Sequence, residues 1–150
     1  MGSRVQKQLL QPGQLAPAIS ALPLDGKQAV IAFFKSSCPV CQYTFPFLER
    51  LYKSGVPLRG ISQDNYADTA EFAAEFGITF PMVRDPAEQG FRASNDYGIS
   101  HVPSIFLIEP DGKLAMAWDG FSKADMEALA GGFSAEVFRP GEKVPQWKPG

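Results

Sequence analysis

The chain has 150 residues, 45% of them hydrophobic and 20% charged, the length and balance of one ordinary globular domain with its own core. A formal net charge of −2 offers no electrostatic attraction to nucleic acid or to an anionic membrane surface. No apolar run approaches the roughly 20 residues a bilayer-spanning helix needs, and residues 1–14 hold no apolar h-region of a signal peptide.

In chain order, residues 1–12 read as a polar lead-in, and residues 13–26, with Pro17 and Pro23, as extended and irregular. Residues 29–35 form a short unbroken apolar run, the pattern of a buried strand. Residues 39–53 read as a helix, with Phe45, Phe47, Leu48, Leu51 and Tyr52 at mixed three- and four-residue spacings. Pro46 either kinks that helix or divides it in two. Residues 56–62 read as a second strand. Asp68-Thr69-Ala70-Glu71 resembles a reciprocally capped helix start, and Gly77 a helix stop. A short strand over 80–83 and a short helix over 88–97 follow. Residues 104–108 and 113–118 flank Glu109-Pro110-Asp111-Gly112 as a β-hairpin. A last helix starts at Ser122-Lys123-Ala124-Asp125 and stops at Gly131-Gly132. The tail from Glu136, with Pro140, Pro145 and Pro149, reads as extended. A βαβ opening followed by an antiparallel hairpin implies an α/β fold: a mixed sheet with helices on both faces. Residues 1–150 are expected to be a single domain with its core over about 13–133.

The two cysteines of the chain, Cys38 and Cys41, stand in Cys38-Pro39-Val40-Cys41 between the first strand and the first helix. A cross-link over so short a loop removes little entropy from the unfolded chain, so stabilisation is a poor explanation of the pair. At a helix start, unpaired backbone N–H groups and the helix dipole favour a thiolate at Cys38. Cys41 lies one turn later on the same face. Pro39 fits the first turn, where its missing N–H costs nothing. Cys38 is then a nucleophile and Cys41 the thiol that resolves a mixed disulfide. The competing reading is a pair of ordinary core cysteines.

Several further pieces stand at compatible spacing. These are Gly13, Ala16 and Pro17, then Leu24-Asp25-Gly26-Lys27, Phe33, the C-x-x-C segment, Pro46, and Val102-Pro103 before Phe106-Leu107-Ile108 and Pro110-Asp111-Gly112. Together they resemble the thioredoxin fold and, more narrowly, the redoxin/TlpA-type thiol–disulfide oxidoreductases, from about residue 13 to residue 133. The resemblance implies a thioredoxin-like domain with a redox-active Cys38–Cys41 disulfide and no organic cofactor. It implies a cis-proline at Pro103, against the plain alternative of a strand-start proline. Val102 would offer its backbone to a partner's extended segment, with Pro39 and Val40 beside it. Implied partners are protein thiols and disulfides and an upstream redox partner. TlpA-type relatives are commonly extracytoplasmic, which favours that setting here, with a leader lost upstream of Met1-Gly2-Ser3. A cytoplasmic setting is the alternative, and a monomer is expected.

Departures from the pattern raise their own candidates. Ala32 stands where thioredoxin buries an aspartate, so Asp64 or Lys35 becomes a candidate for handling the Cys41 proton. An Asx-turn or a capping role is the other reading of Asp64. Ser37 replaces the usual aromatic before the nucleophile. His101 is either a loop histidine or a group that tunes the sulfurs. It also feeds a rival reading, copper delivery through Cys38, Cys41 and His101, although copper carriers of this fold space their cysteines C-x-x-x-C. A peroxiredoxin-like peroxidase would need a Thr one turn before the nucleophile, which residues 34–37 lack, and a suitably placed Arg such as Arg84 or Arg92. A redox-inert binding module is a third alternative.

Overall fold

The structure, a computed structural model, describes residues 8–150. Its centre is strand β1 (Ala29–Phe34), buried along its whole length. Alternate side chains of β1 serve opposite faces of the sheet. Val30, Ala32 and Phe34 enter one apolar cluster, and Ile31 and Phe33 enter the other. That double burial explains the unbroken apolar run.

The chain continues through α1 (Pro39–Lys53), β2 (Leu58–Ser62), α2 (Tyr66–Phe76) and β3 (Met82–Arg84). A single 3-10 turn at Ala87–Gln89 leads to α3 (Arg92–Asp96). Then come β4 (Ser104–Ile108), β5 (Leu114–Asp119), β6 (Phe121–Ser122), α4 (Lys123–Gly132) and β7 (Trp147–Lys148). The main sheet has the order β3-β2-β1-β4-β5. β1, β2 and β3 run parallel, while β4 is antiparallel to both β1 and β5. The sheet is therefore mixed. α1, α2 and α4 contribute to the cluster on one face, and α3 and the segment around Leu9 and Leu10 to the cluster on the other.

One register matters for function. Phe33 pairs with Ser104 across the antiparallel β1–β4 ladder. The end of β1 and the start of β4 therefore lie at the same end of the sheet, and the loops before β4 and after β1 meet there. Aromatic packing fixes α1 above this end. The Phe45 ring lies 4.6 Å from Phe34, 5.4 Å from Phe72 and 5.7 Å from Phe80, centroid to centroid.

Two element boundaries differ from the sequence reading, and two further features settle or extend it. α2 begins at Tyr66, not Asp68, because the Asn65 side chain accepts from the Asp68 backbone N–H at 2.8 Å and is the true cap. The helix expected over 88–97 is broken at Gly90 and Phe91, both left-handed with φ near 69° and 52°. The buried Asp85 carboxylate accepts from the N–H groups of Ala93 and Ser94 and starts α3 there. Pro46 lies within one continuous α1. The tail is docked: Phe138 packs on Phe47 and Phe121, Arg50 pairs in two-pronged fashion with Glu142, and β7 pairs antiparallel with β6.

Truncating Phe45, which is fully buried, is expected to lower unfolding stability by about 3–5 kcal/mol, as large core truncations do. Urea denaturation of Phe45→Ala checks this, and a loss below about 1 kcal/mol would contradict an aromatic clamp on α1.

Candidate active site

Cys38 is the N-cap of α1, in extended backbone conformation at φ −82° and ψ 115°. Its sulfur accepts a hydrogen bond from the Cys41 backbone N–H at 3.2 Å. The nucleophile candidate thus does the capping work that a Ser or Asp side chain does elsewhere. Pro39 at the first helical position leaves one fewer donor to satisfy. Cys38 is half-buried and Cys41 fully buried; both are free thiols.

These surroundings push the two thiols apart. The Cys38 thiol falls from 9.0 to about 6, first because the Cys41 side chain hydrogen-bonds to it. The backbone N–H groups of Cys41 and Val40 and the charge of Lys35 act in the same direction, against partial desolvation. Cys41 moves up, mainly because burial disfavours its charge, and further through its hydrogen bond to Cys38 and the charges of Cys38 and Asp64. One sulfur is an anion at neutral pH and the other keeps its proton. Folding lowers the Cys38 pKa, so the thiolate's contribution to stability is complete above the unfolded value of 9.0 and fades as pH falls toward about 6.

The loop before β4 supplies the second wall. The Val102–Pro103 peptide is cis, and the Cys38 thiol lies 3.4 Å from the Val102 carbonyl oxygen. The buried Ser104 hydroxyl donates to the His101 carbonyl at 2.6 Å and fixes this turn. Sequence reasoning missed Ser104, since a serine at a strand start gives no distinguishing signal.

Asp64 comes to the same end of the sheet. Its carboxylate accepts from the Ser36 backbone N–H at 2.6 Å, and the Arg84 guanidinium donates to its carbonyl at 2.9 Å. It therefore ties down the loop that delivers Cys38, and its charge reaches Cys41. Ala32 is fully buried against the cluster that contains Cys41. His101 is exposed and 3.3 Å from the Ser100 hydroxyl through Nδ1. Among the described residues no three His, Cys, Asp or Glu side chains are grouped to hold a metal ion. Arg84 is committed to Asp64 and packs over the Tyr66 ring, and Arg92 is exposed beside Asp96.

Residues 12–117 match the AhpC/TSA family. The chain belongs to that family. AhpC/TSA relatives include the thiol-disulfide oxidoreductase ResA of Geobacillus thermodenitrificans, 32% identical over 94 residues, 59% of this chain and 52% of that protein. The thiol:disulfide interchange protein HelX of Rhodobacter capsulatus is 32% identical over 107 residues, 70% of this chain and 60% of its own. The chain thus spans between half and three-fifths of the length of these relatives. Among solved structures, a putative thiol:disulfide interchange protein DsbE from Chlorobium tepidum superposes with a TM-score of 0.66 at 28% identity, covering 81% of this chain and 94% of that one. The thioredoxin domain of a thiol-disulfide oxidoreductase from Bacteroides vulgatus gives a TM-score of 0.70 at 22% identity, covering 83% and 98%. The fold is thioredoxin-like.

Alkylation by iodoacetamide should follow the Cys38 thiolate, with its rate rising through a midpoint near pH 6. Because the Cys41 side chain is the largest influence and Lys35 the smallest, Cys41→Ala should raise that midpoint more than Lys35→Met. The reverse order would contradict the assignment.

Proposed function

We propose that this chain is a thiol–disulfide oxidoreductase that exchanges the Cys38/Cys41 dithiol with disulfides of partner proteins. The observation that carries the reading is the capped Cys38 sulfur, held as a thiolate near neutral pH, with a protonated, buried Cys41 one turn behind it. The names of the AhpC/TSA relatives support it.

In the reducing direction the Cys38 thiolate attacks one sulfur of a partner disulfide. The partner's S–S bond breaks, its second sulfur leaves as a thiolate and takes a proton, and a mixed disulfide joins Cys38 to the partner. Cys41 then loses its proton and attacks the Cys38 sulfur. The mixed disulfide breaks, the partner leaves as a dithiol, and Cys38 and Cys41 are joined. Two electrons have passed to the partner. An upstream redox partner returns them by the same steps in reverse. No organic cofactor enters this scheme.

The second step needs a proton acceptor near a buried thiol. Asp64 is our candidate, because its charge acts on Cys41 and its carboxylate sits at the loop beside it. Val102, Pro39 and Val40 are proposed to meet the partner, Val102 through its backbone. The TlpA-type resemblance supports an extracytoplasmic setting.

Stopped-flow exchange with a polypeptide disulfide tests these roles. Cys38→Ser should abolish exchange, and Cys41→Ser should accumulate a mixed disulfide at Cys38. A Cys38→Ser protein that still exchanges would overturn the reading. Asp64→Asn should slow resolution on the order of a hundredfold, the lower end of what positioned bases contribute, while leaving the first attack intact. Resolution rates unchanged across pH would remove Asp64 from the mechanism.

A further inference from the structure

The segment that follows α4 returns to the active-site end of the sheet. β7 (Trp147–Lys148) pairs with β6, Phe121 opposite Lys148 and Ser122 opposite Trp147. The Lys123 N–H donates to the Gln146 carbonyl at 2.9 Å, and the Lys148 ammonium lies 5.1 Å over the Tyr43 ring. Beyond β7 the chain reaches the loop that faces the nucleophile. A Cβ placed on Gly150 would lie 2.6 Å from the Val102 carbonyl oxygen, the same atom that lies 3.4 Å from the Cys38 sulfur. A Cβ on Gly120, whose φ is +75°, would collide with the Lys148 carbonyl. Gly120 in turn donates to the Pro103 carbonyl at 2.8 Å. Val102, Pro103 and Gly120 therefore form one strip of backbone beside Cys38, and residues 148–150 lie along it.

We propose that residues 146–150 occupy the strip on which a partner's extended segment docks, so that tail and partner compete for the Val102 backbone. The proposal rests on the thiol-exchange reading above. Adding a strand to exposed backbone is how an extended peptide gains hydrogen bonds without demanding a particular sequence. Here the chain lays its own extended segment against the strip, hydrogen-bonded to the adjoining β6. The approach is close because each meeting point has a glycine on one side, Gly150 against Val102 and Gly120 against Lys148, so the strip suits a partner whose disulfide lies in an extended, unfolded or loop segment with small residues beside its cysteine. The hold is also light. β7 pairs over two residues, Trp147 is 60% exposed, and Pro145 and Pro149 on either side lack N–H donors. A short, exposed strand opens at small free-energy cost. The tail lies along the strip without covering the Cys38 sulfur completely, since that residue remains half-buried. A small disulfide reaches the sulfur with the tail in place, whereas a polypeptide must move it.

Two variants and two substrates test this. Gly150→Val drives the tail off the Val102 carbonyl while leaving the core untouched, and a chain lacking residues 146–150 removes the segment. Each is compared with the parent protein for reaction with 4,4′-dithiodipyridine and with an unfolded polypeptide carrying one disulfide. Both variants should react with the polypeptide faster, on the order of tenfold, which corresponds to release of a contact of about 1.4 kcal/mol. Their rates with dithiodipyridine should stay within about twofold, well short of that factor. In the mixed disulfide trapped with Cys41→Ser, hydrogen exchange at the Lys148 amide should accelerate. Polypeptide rates that are unchanged or lower in Gly150→Val, or Lys148 protection that survives in the trapped complex, would overturn the proposal. A parent protein inert to dithiodipyridine would instead overturn the thiol-exchange reading itself.

Discussion

The hydrogen bond from the Cys41 N–H to the Cys38 sulfur is the contact on which the rest of the site depends. A helix start has backbone donors that need an acceptor, and here the acceptor is the sulfur of Cys38, the proposed nucleophile. Capping and ionisation reinforce one another. The N–H groups prefer a negative sulfur, and a negative sulfur is the better cap. The same geometry sets Cys41 one turn in, where burial favours its protonated form.

That contact is useful because the sheet delivers a second wall to it. β1 and β4 are antiparallel neighbours, so the exit of one and the entry of the other coincide in space although Cys38 and Val102 lie 64 residues apart in sequence. The aromatic clamp of Phe34, Phe45, Phe72 and Phe80 holds α1 at a fixed height over the sheet. Asp64 and Gln42 then fix the loop between β1 and α1 from both sides, through the Ser36 N–H and the Ser36 carbonyl. Cys38 thus sits on a loop bonded from both sides, while the segment across from it, residues 146–150, is held by a two-residue pairing.

Much of this was legible in the chain. The apolar run of β1, the strand–Cys38-Pro39-Val40-Cys41–helix order and the Pro-Asp-Gly turn of the hairpin are local patterns with local causes, and they survive folding unchanged. The misread boundaries have local causes too, but competing ones. Asp68 has the pattern of a cap because it starts an apolar stretch, whereas Asn65 wins by reaching the Asp68 N–H. The break at Phe91 depends on Asp85, a buried carboxylate that captures two N–H groups of α3 and that no periodicity marks. The docking of the tail was invisible for a different reason. Its partners, Phe47, Arg50, Phe121 and Val102, come from three distant parts of the chain, and proline-rich composition resembles a loose end whether or not such partners exist. The place of Asp64 after β2 marks it as a candidate in the sequence, but its bond to Ser36 exists only in the folded loop.

The most direct test of the central claim is a redox titration of the folded protein in glutathione buffers, read by alkylation and mass spectrometry. The account predicts that Cys38 and Cys41 pass together from free thiols to one disulfide along a two-electron curve, with a midpoint between roughly −270 and −120 mV, the span of known proteins of this fold. A pair that stays in one form at every glutathione ratio would contradict it.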